Sequence, residues 1–192
     1  MSVMNKKGMG YILGDVPKIV IDLPKDEGTK NAKIAQILKD IVLKSRESRV
    51  VRLFALKILK EAGIRPKDYL GELEAIHNWV RDNITYRKDP AFLDTFHEAE
   101  RTIKDFLYND GTSGDCDDHA VLVASLLISI GHVPRLVMTN SMPGGKYTHI
   151  YTEVLYQGKW LCLETTEPVS AFWCPPSFKK GIVTIIDKKE QT

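Results

Sequence analysis

The longest apolar stretch in this chain runs from Ala120 to Ile130, interrupted only by Ser125 and Ser129. It is about half the length needed to cross a bilayer, so it reads as a helix buried in a globular core. Gly131 is placed to end that helix, and the turn-forming pairs Asp110–Gly111 and Ser113–Gly114 precede it.

The chain changes character around this segment. Over residues 30–47, Ile34, Ile37, Leu38, Ile41 and Val42 follow the i, i+3, i+4, i+7, i+8 spacing of one helix face, with Thr29 as the expected cap. A second helix is expected over 49–62, carrying Val50, Phe54, Ile58 and Leu59 and ending at Gly63, with Pro66 enforcing a break. Asp68 caps a third, which carries Leu70, Leu73, Ile76, His77 and Val80 to about Asn83. Residues 18–23, between Pro17 and Pro24, form a strand-like run, and residues 92–110 read as a loop with one or two helical turns. Beyond Gly131, residues 135–139, 148–156, 159–164 and 182–186 read as strands, with Gln157–Gly158 as a tight hairpin turn. Helices first and an antiparallel sheet second is the order of an α+β domain with one helix laid on the sheet. The expected division is an N-terminal strand and helical extension over 1–66, packed on a core over 67–192.

Lys and Arg number 27 against 25 Asp and Glu, a net charge of +2. That balance disfavours capture by nucleic acid or an anionic membrane, so neither is expected as a partner. Three cysteines, Cys116, Cys162 and Cys174, cannot all pair, and a domain of this size needs no disulfide, which fits a reducing compartment. Residues 1–14 carry Lys6 and Lys7 but no apolar run of signal-peptide length, because Gly8, Gly10 and Gly14 interrupt it. The expected location is the cytoplasm.

Cys116, within Gly114–Asp115–Cys116–Asp117–Asp118–His119, stands at the start of the apolar helix. A thiol there lies beside unpaired backbone N–H groups and the positive end of the helix dipole, both of which favour the thiolate. The Cys116 N–H could also stabilise an oxyanion. The three aspartates oppose this by raising the thiol's pKa, so an imidazolium nearby is needed to tip the balance. On its own, Cys116 is as well explained by a buried, inert thiol.

The downstream hairpin supplies that imidazole. With a two-residue loop at Gln157–Gly158, Tyr156 faces Lys159, Leu155 faces Trp160, Glu153 faces Cys162 and Tyr151 faces Glu164. His149 lies two residues further along the same strand and so shares a face with Glu164. Such diagonal neighbours sit roughly 7–8 Å apart at the backbone, within reach of a long carboxylate. A four-residue loop preserves the relation; a three-residue loop turns one residue away. Cys116, His149 and Glu164 are therefore the candidate nucleophile, base and orienting acid.

Gly114–Asp115–Cys116, then His149–Tyr151–Glu153–Val154, then Gly158–Trp160–Glu164–Thr165 resemble the transglutaminase-like superfamily, over about residues 70–166. Glu74, Ile76, Trp79–Val80–Arg81–Asp82–Asn83–Ile84, Tyr86, Asp89–Pro90 and Gly131–His132 with Pro134–Arg135 are most similar to such proteins of tailed bacteriophages and prophages. The resemblance implies a papain-like core, thiol chemistry on an acyl group without a cofactor, and a protein or peptide substrate. It also implies phage structural proteins as partners, in host cytoplasm or virion. Glu164 stands where aspartate is commoner.

Two other readings remain. Cys116-x-x-His119 is half of a zinc-like ligand set that His149, Cys162 or an aspartate could complete. Alternatively the fold serves as a catalytically silent virion module. Trp79, Trp160, Trp173, Tyr86, Tyr108 and Tyr151 read as core or groove-lining aromatics, and Cys162 as packing beneath the apolar helix. His77, His97 and His132 have no evident partner. His119 reads as a partly exposed first-turn residue, and Gly144–Gly145 as the pivot of a flap.

Overall fold

The computed structural model describes residues 26–89, 95–109, 112–140, 148–166, 172 and 179–185. The strand-like run at 18–23, the Gly144–Gly145 loop, Trp173 and Cys174 lie outside the described residues.

Helix α1 (Glu27–Ser45) starts one turn earlier than its apolar stripe, because the Asp26 carboxylate accepts both the N–H and the hydroxyl of Thr29, at 2.9 and 2.8 Å. The cap is thus Asp26 and not Thr29. Helix α2 (Arg49–Glu61) is capped by Ser48 and closes in a Schellman turn. Gly63 adopts φ 69°, its N–H reaching Lys60 O and the Ile64 N–H reaching Leu59 O. Helix α3 (Tyr69–Asn83) starts at Asp68 as expected and runs into the short strand β1 (Ile84–Tyr86).

Residues expected as a loop form a full helix, α4 (Ala99–Tyr108). Its buried stripe is Ala99, Thr102 and Ile103, with Phe106 packing at the core's edge. Ala and Thr contribute little to a hydrophobic pattern, so the stripe is faint in sequence. Edge-on contacts of Phe106 with Trp79 (4.8 Å between centroids) and Phe54 (6.2 Å) anchor the helix. Strand β2 (Thr112–Gly114) pairs in parallel with β1, Tyr86 opposite Gly114. Three-residue strands carry no readable alternation, so this pair leaves no signal in the sequence. It ties the end of α3 to the start of the apolar helix α5 (Cys116–Ser129).

Every residue of α5 from Asp118 to Ser129 is buried. Helices α2, α3 and α4 enclose Leu122, Val123, Leu126 and Leu127, and α1 covers Val121, Ala124 and Ile128. Each fully buried Leu contributes about 1.5–3 kcal/mol of transfer free energy. A helix apolar on all sides is stable only inside such an enclosure.

The last side of that enclosure is an antiparallel sheet of β3 (Pro134–Asn140), β4 (His149–Tyr156), β5 (Lys159–Leu163) and β6 (Lys179–Ile185), in the order β5-β4-β3-β6. Gln157 (φ 48°) and Gly158 (φ 76°) form the two-residue turn, and Glu153 pairs with Cys162 as the hairpin count requires. Ile150, Thr152 and Val154 face α5, with the Thr152 hydroxyl donating to Ala120 O at 2.8 Å. His149, Tyr151 and Glu153 point to the opposite face by strand alternation. Cys162 shares that opposite face, packed with Val137 and Tyr151. The expectation that it lies beneath α5 is therefore corrected: Leu161 and Leu163 hold that position.

Candidate active site

Cys116 is the first residue of α5, after the cap Asp115, whose carboxylate accepts the Asp117 N–H at 3.1 Å. The Asp118 side chain folds back over Gly114 so closely that a Cβ there would lie 2.5 Å from Asp118 Cβ. Only glycine fits. Strand β5 ends at Leu163, opposite Thr152, and leaves the start of β4 without a β5 partner. The Cys116 thiol docks against that edge, where the Ile150 N–H stabilises its charged form.

Other influences outweigh that N–H. Burial, followed by the Asp115 and Asp117 carboxyls and Glu164, pushes the Cys116 thiol up to about 12. The helix terminus does not compensate for desolvation. Burial also raises Asp115, and raises Asp117 well above the usual carboxylate range, while the two share a hydrogen bond.

His149 Nε2 donates to Glu164 Oε2 at 2.5 Å, joining the two residues the hairpin register placed on one face. Thr166 donates its N–H and hydroxyl to Glu164 Oε1, each at 2.7 Å. Burial alone would raise Glu164, but the His149 hydrogen bond and charge and the Thr166 donors together hold it below its ordinary value.

The histidines without evident partners all have one. His77 Nε2 lies 2.7 Å from the Glu164 carbonyl oxygen, His97 Nδ1 3.2 Å from Asp118 Oδ1, and His132 Nε2 2.7 Å from Glu72 Oε2. The Asp118 hydrogen bond raises the pKa of His97. His77 was legible as part of the α3 stripe, but its partner is 87 residues away and no local pattern announces it. His119 is only 1% exposed, against the expectation of a partly exposed residue. Its Nδ1 lies 3.1 Å from Thr165 Oγ1, and burial lowers its pKa to about 4.

Tyr86 is 40% exposed, its ring lies tilted 6.3 Å from that of His119, and burial, then the charges of Cys116, Asp115 and Glu164, raise its pKa. Trp79 is partly buried and packs against the core, Trp160 lies under the Arg135 guanidinium (4.0 Å), and Tyr108 is exposed rather than packed. Among the described residues, the cluster of three potential metal-binding groups is Asp115, Asp117 and Asp118, whose candidate ligand atoms lie within 4.8 Å of one another. Cys116 and His119 are not part of it. Among the described residues no helix is long and apolar enough to cross a membrane.

A cysteine opening a buried helix, laid on an antiparallel sheet that carries a hydrogen-bonded histidine and acid, defines the papain-like class of fold. The chain belongs to the transglutaminase-like superfamily, whose family model matches residues 60–165. Among solved structures it is similar to a protein described as a putative cysteine protease from Cytophaga hutchinsonii (22% identity, TM-score 0.48), over 68% of this chain and 43% of that one. A putative protease from Parabacteroides distasonis gives 13% identity and a TM-score of 0.46, over 66% of this chain and 25% of that one. Legionella pneumophila LapG gives 16% identity and a TM-score of 0.47, over 74% of this chain and 78% of that one. The chain thus spans less than half the length of the first two. No curated protein sequence matches it.

Proposed function

We propose that the protein is a thiol-dependent acyl-transfer enzyme acting on an amide or peptide, with Cys116 as nucleophile, His149 as base and Glu164 as orienting acid. The observation that carries this reading is the His149–Glu164 hydrogen bond, one residue along β4 from Ile150, whose N–H meets the Cys116 thiol. Because His149 Nε2 is committed to the carboxylate, Nδ1 is the nitrogen that exchanges protons with substrate and thiol. A thiol pushed up to about 12 stores no thiolate at neutral pH. His149 therefore takes the proton as the sulfur bonds to the carbonyl carbon, and Glu164 stabilises the imidazolium that results.

The Cys116 N–H is one donor for the oxyanion, and Tyr86, paired opposite Gly114 two residues before the thiol, is the candidate for the second. Collapse of the tetrahedral intermediate breaks the C–N bond, the amine leaves with the proton from His149, and water resolves the thioester by the reverse route. An amine in place of water would make the reaction a transamidation. Motif resemblance to phage and prophage proteins makes a phage structural protein the first substrate to test.

A second reading, a catalytically silent assembly module, draws on the same raised thiol pKa and the carboxyls beside it. Incubating wild type and Cys116→Ala with a peptide-amide library and an added amine, followed by intact-mass analysis, separates the two. An acyl adduct on wild type alone supports the enzyme. An adduct on neither supports the silent module.

A further inference from the structure

Two buried histidines outside the proposed triad converge on the segment that carries its acid. His77, fully buried on α3, sets Nε2 2.7 Å from the Glu164 carbonyl oxygen, with Asn78 Oδ1 3.1 Å from Nδ1 and the Phe172 ring edge-on at 5.6 Å. The backbone carbonyl only accepts, so Nε2 carries the proton and donates it, and the Asn78 amide, turned about its last bond, presents its NH2 to Nδ1. His119, on α5, sets Nδ1 3.1 Å from Thr165 Oγ1.

Glu164 and Thr165 follow directly after the last residue of β5, where ladder hydrogen bonds no longer hold the backbone. Thr166 holds one carboxylate oxygen locally, so what remains to be fixed is the main chain that carries the Glu164 side chain. The two histidines replace the missing ladder, one gripping the main chain and the other the next side chain. They come from the two helices that matter: α3 leads into β1 and Tyr86, and α5 begins with Cys116. His119 stands one helical turn from Cys116, so the thiol and the grip on the acid segment share one rigid element.

Resting on the reading of Glu164 as orienting acid, we propose that His77 is a positioning residue, which, with His119, holds the Glu164 backbone so that its carboxylate meets His149 Nε2. Both rings are buried, at 0% and 1% exposure, and act on the acid through the chain that carries it. The contact that matters is one donated hydrogen bond, and a side chain that restores the donor should restore the geometry.

The test uses the full chain with His77→Leu, His77→Gln and His77→Asn. Long-range 1H–15N NMR of the imidazoles reads the His149 Nε2–H, assigned by its loss in His149→Gln, and iodoacetamide reads Cys116. A glutamine amide reaches the position of Nε2, whereas an asparagine amide stops at Nδ1. His77→Leu is expected to lose the downfield His149 Nε2–H signal and to slow Cys116 alkylation roughly tenfold or more. His77→Gln is expected to keep the signal and stay within about threefold of wild type. A folded His77→Leu with the wild-type signal overturns the proposal, as does His77→Gln behaving like His77→Leu, which would show that only ring packing counts. Should His77→Leu fail to fold, His77→Gln against His77→Asn decides: a signal in Gln alone supports the clamp, and equal signals overturn it. Alkylation indifferent to His149→Gln would count against the thiol enzyme while leaving the NMR comparison able to judge the clamp.

Discussion

Glu164 and His149 meet at 2.5 Å across a hairpin whose turn residues, Gln157 and Gly158, both adopt positive φ. That turn sets the register, and the register brings the imidazole and the carboxylate to one face where β5 has already ended. If this contact orients the base, Glu164→Gln should lower kcat/KM roughly 10²- to 10⁴-fold on any amide substrate found, with little change in KM.

The same pair has a pH signature. Glu164 has a folded pKa below its ordinary value, so its contribution to stability is full above the unfolded value of 4.5 and is lost as pH falls through the lower folded value. Denaturation of wild type and Glu164→Gln should therefore converge in that acid range. Stability curves that remain parallel down to acid unfolding would argue against a favourable pair.

His119 is also held deprotonated, by burial rather than by a charged partner. Buried and neutral, it titrates at about 4 in the folded state against 6.5 when unfolded. The unfolded chain thus binds a proton that the folded chain refuses, and stability falls as pH drops from 6.5 towards 4. Urea titrations of wild type and His119→Gln should show the difference between them shrinking by roughly 1–3 kcal/mol over that interval. A constant difference would mean that His119 is not held neutral by burial.

Gly114 tests the helix start. A Cβ at 2.5 Å from Asp118 Cβ cannot be relieved by rotating a flexible tip, so backbone or the Asp118 stem must move. Gly114→Ala should cost about 1–3 kcal/mol by urea denaturation and slow acylation of Cys116 as the start of α5 shifts. Unchanged stability would place the side chain of Asp118 elsewhere.

Much of this was legible in sequence where periodicity or a turn is strict. The stripes of α1, α2 and α3, the buried run of α5 and the Gln157–Gly158 hairpin all follow local rules, and the last carries the His149–Glu164 register with it. Less visible were features that depend on distant partners. The α4 stripe uses Ala99 and Thr102 and relies on Trp79 and Phe54 for its anchorage. His77 looks like a stripe residue, and His119 like a partly exposed first-turn residue, until the end of β5 brings Glu164 and Thr165 beside them. The side of the sheet on which Cys162 falls is not legible in the sequence, because the hairpin fixes which residues share a face but not which face the helix covers.

Acylation of the thiol tests the central claim most directly. With p-nitrophenyl acetate in excess at neutral pH, intact mass and peptide mapping should show one acetyl group on Cys116 in wild type and none at that position in Cys116→Ala. The rate should fall roughly 10²- to 10⁴-fold in His149→Ala. Acetylation of Cys116 at the same rate with and without His149, or no acetylation of Cys116 at all, would contradict the account.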